Sequence, residues 1–367
     1  MSLTVCLAPR SCLPYPNGGG YLWIFLNWAL GLRAAGCEIV WLEGVPLGLG
    51  PDRVQGLTAA LKERLRPYGL ADALALYSAS GQEVPAAVAP GCLDLATAAE
   101  AGLLLNFRYS LPREVVGRFR RSALVDIDPG LLQIWIAKGL IDVAEHGAYL
   151  TIGEQVRDPA RTWHHVPPCV SLDWWPPRRA PADAPFTTVA HWYAGGWVGA
   201  DETADDKRSG FLHVLDLPRS VSRPLELALD LPADDPQARL LKASGWRVRD
   251  AHTVAATPWD YQRYVQDSLG EFSCAKPAYT RLGNAWISDR TLCYLASGKP
   301  AVVEYTGPSS FLPDDAGLLR FRGREEAAVL LRRAIDDYAH QSALARALAE
   351  EHFDARRVTA RVLELVA

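Results

Sequence analysis

Residues 3–42 read as one complete β-α-β unit, and a chain that opens this way is committed to a parallel sheet covered by helices. Leu3–Ala8 is a short apolar run stopped by Pro9, the pattern of a strand buried on both faces. The loop after it, 9–20, carries three prolines and the triplet Gly18, Gly19, Gly20. A helical stretch from Tyr21 to Ala35 is closed by Gly36, and Cys37–Leu42 is the next strand. Further strands are expected at 102–106, 123–126 and 148–152, with helices starting near Pro112 and after Pro129. Between Pro51 and Ala101 the pattern is weaker, and helices and loops are expected.

A break in composition then divides the chain. Six prolines fall within 167–185, together with Trp174 and Trp175, which makes a stiff, extended connection. A second alternation follows, with strands expected at 186–190, 225–229, 246–249, 271–274, 301–304 and 318–321 and a helical tail from Glu325 to Val366. The expected fold class is α/β, with two Rossmann-like β/α/β domains facing each other across a cleft. Residues 1–168 form the first, 169–185 the linker, and 186–367 the second with its helical tail.

Composition excludes several functions. A net charge of -4 supplies no strong positive field for a phosphate backbone, so no nucleic-acid partner is expected. The 7 cysteines are scattered without C-x-x-C spacing, which suits reduced thiols better than a disulfide framework or a zinc site. No signal peptide is visible, and the apolar run Tyr21–Leu32 is too short to cross a bilayer. The expected location is cytoplasmic, with no transmembrane segment.

Ligands of open parallel sheets bind beyond the carboxyl ends of the strands. In the first half those ends lead to the loop 9–20, Glu43, Arg108, 126–130, and Gly153 with Glu154. In the second they lead to 191–196, Asp250, Lys276 and 304–307. Gly18, Gly19 and Gly20 precede a helix, where bare backbone and a helix N-terminus favour a ligand, although a simple turn would use the same residues. Asp126 and Asp128 have two readings. Asp128 suits the N-cap of a helix beginning at Pro129. Alternatively, the pair is a D-x-D metal clamp, or one of them is the acceptor's general base; a cap leaves Asp126 available for that work. His146 is expected to lie away from the ligand edge, and His191 at a strand's carboxyl end.

The segment 271–307 is the most specific. A strand ends near Lys276, Ser288 precedes a helix closed by Gly298, Pro300 starts a strand, and Tyr305, Thr306 and Gly307 turn at its end. A helix start with Asp289 and Arg290 beside a lysine suits a diphosphate. Leu295–Val303, reading LASGKPAVV, with Thr306 and Gly307, resembles the end of the donor-binding domain of GT-B glycosyltransferases. The phrase SDRTLCYLASGKP also resembles an uncharacterised bacterial glycosyltransferase group, together with DIDPG at Asp126, FTTV at Phe186 and EFSCAK at Glu271.

The resemblance implies a GT-B arrangement, with acceptor bound by the first domain and nucleotide-sugar donor by the second. It implies a basic residue after the first strand of the donor domain, for which Lys207 and Arg208 are the matches. Donor contacts are then expected from Lys207, Lys276, Ser288, Asp289, Arg290, Tyr305, Thr306 and Gly307, and acceptor contacts from Gly18, Gly19 and Gly20. Asp126 and Asp128 are the catalytic candidates. The paired glutamates of retaining GT-B families are absent, since Ala285 and Cys293 occupy their places. Asp289 is open to three readings: a contact to a sugar hydroxyl, a cap of its own helix, or a partner of Arg290.

The implied function is metal-independent glycosyl transfer from a nucleoside-diphosphate sugar to a small-molecule or glycan acceptor, with no cofactor beyond the donor itself. The competing readings are a nucleotide-sugar epimerase on the same fold, a non-catalytic nucleotide- or carbohydrate-binding protein, and a metal-dependent transferase using Asp126 and Asp128.

Overall fold

The computed structural model describes residues 2–80, 84–193, 206–232 and 234–366. They form two compact units. Unit 1 comprises Met1–Ile152, Val156–Ser171 and Ala355–Ala367; unit 2 comprises Gly153–Gln155 and Leu172–Asp354.

Unit 1 alternates from its first strand: β1 (Thr4–Ala8), α1 (Gly19–Ala34), β2 (Glu38–Val45), α2 (Pro51–Leu65), β3 (Leu74–Ser78), α3 (Leu95–Ala99) and β4 (Leu103–Asn106). It continues with α4 (Arg113–Val116), β5 (Ser122–Asp126), α5 (Leu131–Ala137), β6 (Ala148–Thr151) and β7 (Trp163–His165). Its 7-stranded sheet has the order β3-β2-β1-β4-β5-β6-β7. The neighbours pair in parallel throughout. Helices cover both faces, so the central strands are apolar along their length rather than alternating; Val5, Cys6, Leu7 and Ala8 are all buried. On one face Cys6, Ala8, Val40 and Leu104 pack with Leu95, Leu111 and Val115. Elsewhere in the unit, Phe25 and Trp28 of α1 meet the ring of Phe107 at 5.5 and 5.3 Å.

The strand β3 falls in the stretch 51–101, where helices and loops were expected. Leu74–Ser78 holds no β-branched residue, and its pairing with Trp41–Val45 of β2 decides its conformation.

Unit 2 contains β8 (Phe186–His191), α6 (Arg208–His213), β9 (Leu225–Asp230), α7 (Pro236–Ala243), β10 (Arg247–Asp250), α8 (Ala251–Val254) and α9 (Pro258–Asp267). Then come β11 (Gly270–Ser273), α10 (Pro277–Leu282), α11 (Asp289–Ala296), β12 (Ala301–Glu304), β13 (Asp315–Ala316), β14 (Leu318–Phe321), α12 (Arg324–Asp336) and α13 (Tyr338–His352). The sheet order is β10-β9-β8-β11-β12-β14-β13, and only the β13–β14 pair is antiparallel. A run of rings fills its core: Trp192 against Phe211 at 6.0 Å, Phe211 against Trp246 at 5.9 Å, Trp246 against Phe272 at 5.8 Å, and Phe272 against Phe321 at 5.4 Å.

The last helix, α14 (Ala355–Val366), belongs to unit 1, not to the second half where the helical tail was expected. It lies on α1. The two backbones approach closely at Gly31, where a Cβ would come within 2.6 Å of the Ala355 carbonyl oxygen. Only glycine permits that approach. Ala355 N–H donates to the Val170 carbonyl (3.0 Å), and Ser171 N–H to Asn27 Oδ1 (3.1 Å), so the start of α14 and the segment before β8 are both tied to unit 1.

Candidate functional site

The order of the second sheet reverses between β8 and β11, the position where open parallel sheets leave a crevice. These strands pair only at Gly270 with Phe186 and at Glu271 with Thr187, and then part. Arg290, in the first turn of α11, fills the gap. Its Nε donates to Glu271 Oε1 (2.7 Å), Nη1 to the Val189 carbonyl (3.0 Å) and Nη2 to Ser273 Oγ (2.5 Å). Five N–H groups less these three leave one on each terminal nitrogen. Burial works to lower the guanidinium's pKa, but Glu271 holds it above its usual range. Arg290 therefore pairs with Glu271 rather than Asp289, which leaves the other readings of Asp289 standing.

Beside Arg290 is a recess of about 250 Å³ lined by Ser273, Ser288, Arg290, Glu304 and Thr306 among others. Ser288 holds the N-cap position of α11 without a side-chain cap bond. Asp289 is buried in the first turn, where its carbonyl accepts from Cys293 Sγ at 3.5 Å. Thr306 Oγ1 donates to the Trp286 carbonyl (2.5 Å), and its own carbonyl accepts from Ala285 N–H (2.9 Å), so Thr306 fastens the loop before α11 to the end of β12. Glu304 Oε2 accepts from Ala275 N–H (2.9 Å), and burial raises its pKa.

Two lysines stand with this group. Lys207 Nζ lies 5.8 Å from the Trp286 ring, Lys276 Nζ lies 6.0 Å from the Tyr279 ring, and the two rings stack at 4.3 Å. Burial, followed by the charge of Arg290, pushes the Lys207 pKa well below its usual range; Lys276 adds to the effect and Glu271 opposes it. Lys207 is thus disfavoured in its charged form beside Arg290 and Lys276. Gly195 and Gly196, in the loop before Lys207, lie outside the described residues.

The other two expected donor contacts sit differently. Tyr305 is not among the residues lining the recess; Arg320 and Arg322 stack on its ring at 4.8 and 3.8 Å. Gly307 has φ 124°, and a Cβ there would meet the Gly283 carbonyl oxygen at 2.2 Å, so it serves a tight crossing of backbones. His191, at the end of β8, is exposed and bonded through Nδ1 to Asp230 (3.2 Å).

In unit 1 the triplet starts α1, with Gly18 at the N-cap. A Cβ on Gly18 would run into the Tyr15 ring at 2.1 Å. Gly18 lines a second recess, of about 230 Å³, with Cys12, Tyr15, Tyr21 and Arg64; Gly19 and Gly20 do not.

The reading of Asp128 as a helix cap is corrected. The chain runs two residues further before α5, because Gly130 takes φ 82° and its N–H is satisfied by Gln133 Oε1 at 2.6 Å. Asp128 instead forms an ion pair with Arg10 and accepts from the Tyr109 hydroxyl (3.1 Å). Asp126 is 0% exposed and accepts from Asp128 N–H (2.9 Å), Gln133 Nε2 (3.0 Å) and Thr151 Oγ1 (3.0 Å). Burial raises its pKa to about 7. This geometry makes Asp126 the residue that holds the Asp128 turn. His146 does not lie apart as expected: Nε2 is 3.1 Å from the side chain of Asn106, the last residue of β4.

Three further residues of unit 1 had no role assigned from sequence. Arg10 and Tyr109 lie in loops, and nothing local marks them as partners of Asp128, which is 118 positions from the first and 19 from the second. Glu43 was noted only as a strand end; fully buried, it accepts from Cys12 N–H (3.1 Å), Leu13 N–H (3.2 Å) and Trp41 Nε1 (3.1 Å). Its pKa is raised to about 7, by burial first, against those donors. Among the described residues, no group of three or more His, Cys, Asp or Glu side chains is placed to hold a metal, and no helix is long and apolar enough to cross a membrane.

The chain has the fold of the GT-B glycosyltransferases. It aligns with HepE from Anabaena, solved with UDP-glucose, at TM-score 0.60 and 13% identity over 99% of both chains. It aligns with Staphylococcus aureus TarM, solved with Fondaparinux, α-GlcNAc-glycerol and UDP, at 0.60 and 9% over 99% of both. Sucrose-phosphate synthase from Thermosynechococcus elongatus gives 0.56 and 11% over 99% of this chain and 98% of that one. No family model and no curated protein sequence matches the chain.

Proposed function

We propose that this protein is a glycosyltransferase that moves a sugar from a nucleoside-diphosphate sugar to a small-molecule or glycan acceptor. The observation that carries this reading is the recess at the reversal of the second sheet, which Arg290 lines with Lys207 and Lys276 close by. Arg290 keeps two open N–H groups there, and Lys207 is strained in its charged form by burial beside Arg290 and Lys276. A diphosphate would favour the charged form of Lys207 and accept from the guanidinium. The start of α11 at Ser288 adds the favourable end of a helix dipole. The transferred sugar's bond to the diphosphate oxygen breaks in the reaction, and charge grows on that oxygen. Lys207, Lys276 and Arg290 would stabilise it more in the transition state than in the bound donor. Three protein cations offset the leaving group directly, so we take the reaction to be metal-independent.

On the acceptor side, Asp128 is the carboxylate with solvent-exposed surface, and we assign it to acceptor contact with Asp126 as its positioning residue. The UDP complexes of HepE and TarM make uridine the first nucleotide to try. Titration of the protein with UDP, GDP, TDP and ADP tests the donor assignment. Saturable binding of at least one is expected, and a folded sample that binds none overturns the proposal.

A further inference from the structure

We propose that Arg108, Ser11 and Tyr77 of unit 1 form an oxyanion-binding site, which takes the phosphate or carboxylate of a small molecule. That this molecule is the acceptor rests on the glycosyl-transfer reading; the site itself does not.

The place is the reversal of the first sheet. Its order turns between β1 and β4, and these strands stay paired to their ends, Ala8 with Asn106. Phe107 N–H donates to the Ala8 carbonyl (2.9 Å) and Arg108 N–H to Asn106 Oδ1 (2.8 Å), so the backbone fixes Arg108 just beyond the crevice.

The chemistry there is a surplus of donors. Arg108 Nη1 donates to Ser11 Oγ at 2.8 Å, whereas Nε is sealed from solvent with no acceptor. The Tyr77 hydroxyl, on a residue only 1% exposed, also has none. The Tyr77 hydroxyl and Arg108 Nη1 both lie against Gly44, where a Cβ would come within 2.7 and 3.0 Å of them. Only glycine lets the hydroxyl and the guanidinium pack this closely on the end of β2. The nearby carboxylate, Glu43, has its oxygens turned to Cys12, Leu13 and Trp41. Buried donors normally have acceptors, and orphans on two neighbouring side chains, with the Arg108 guanidinium carbon 5.9 Å from the Tyr77 ring, call for oxygen atoms from elsewhere. A guanidinium offering neighbouring N–H groups suits an oxyanion. Ser11 completes the site at φ 66°, a left-handed conformation that non-glycine residues seldom hold away from functional positions.

The test uses thermal melts of the full chain with inorganic phosphate, glucose 6-phosphate or glucuronate, each against chloride at equal ionic strength. At least one anion should raise the transition temperature, and the set separates phosphate from carboxylate recognition. Arg108→Gln should weaken that ligand about tenfold or more. Tyr77→Phe removes only an orphan hydroxyl, so the unliganded protein should melt at the same or a higher temperature while the anion-dependent rise shrinks. A merely structural role for Tyr77 predicts a lower melting temperature instead. The proposal is overturned if no anion exceeds chloride, or if both variants keep the full rise. A UDP-dependent rise, measured in parallel, reads the donor assignment separately. UDP without an anion effect sinks the oxyanion site alone, and an anion effect without UDP sinks the transferase reading alone.

Discussion

Arg290 Nε lies 2.7 Å from Glu271 Oε1, with both side chains enclosed at the last pair of β8 with β11, where the two strands part. The guanidinium replaces the missing ladder bonds with contacts to the Val189 carbonyl and Ser273, and Glu271 makes its charge tolerable there. The structural bond and the proposed donor contact therefore fall on one side chain.

Arg290→Ala should destabilise unit 2 by about 3–5 kcal/mol, because it leaves the Glu271 charge buried without its partner. Arg290→Met combined with Glu271→Leu should recover much of that loss in a denaturant titration. It should not recover nucleotide binding. A double variant that still binds UDP normally would remove Arg290 from the donor site.

Lys207 is held well below its usual pKa by burial, Arg290 and Lys276, so a bound diphosphate should draw a proton onto it. Nucleotide affinity is expected to rise as pH falls, with net proton uptake. Calorimetry in buffers of different ionisation enthalpy measures that uptake directly, and Lys207→Met should abolish it.

Asp126 titrates near 7 in the folded protein, against an ordinary value of 3.8, chiefly through burial. A raised carboxylate favours the folded state below the unfolded pKa, and that advantage is lost as pH climbs from about 4 through about 7. Glu43 acts in the same direction over nearly the same range. Urea denaturation at pH 5 and pH 8 should show the greater contribution at pH 5. Asp126→Asn with Glu43→Gln should flatten the difference; an unchanged difference would count against these two groups as its source.

Gly31→Ala places a methyl group where the Ala355 carbonyl already stands, and should cost about 1–3 kcal/mol through overpacking. The loss is read as a lower urea midpoint for unit 1, with nucleotide binding in unit 2 unchanged.

Much of this architecture is legible in the sequence because parallel strands buried on both faces leave apolar runs. Ala301–Glu304 and Leu318–Phe321 occur as read, and Ser288 stands where the helix was expected to begin. Leu74–Ser78 escaped notice because its residues lack β-branching, so pairing with β2 decides its state. Asp128 misled for a different reason. An Asp-Pro pair is a good helix start locally, but the positive φ of Gly130 and the distant partners Arg10 and Tyr109 override it. Arg290 was identified at the helix start, whereas its bond to Glu271 depends on two strands separating, which no local pattern encodes.

The seating of α14 on α1 has a consequence for synthesis. On the ribosome, α1 emerges well before α14, so the surface around Gly31 must wait until residues 355–366 are made before Ala355, Val358 and Val362 can cover it. All of unit 2 is translated in the interval. Nascent unit 1 thus carries an uncovered apolar helix face throughout that interval, the kind of surface chaperones bind, and it closes only when α14 arrives.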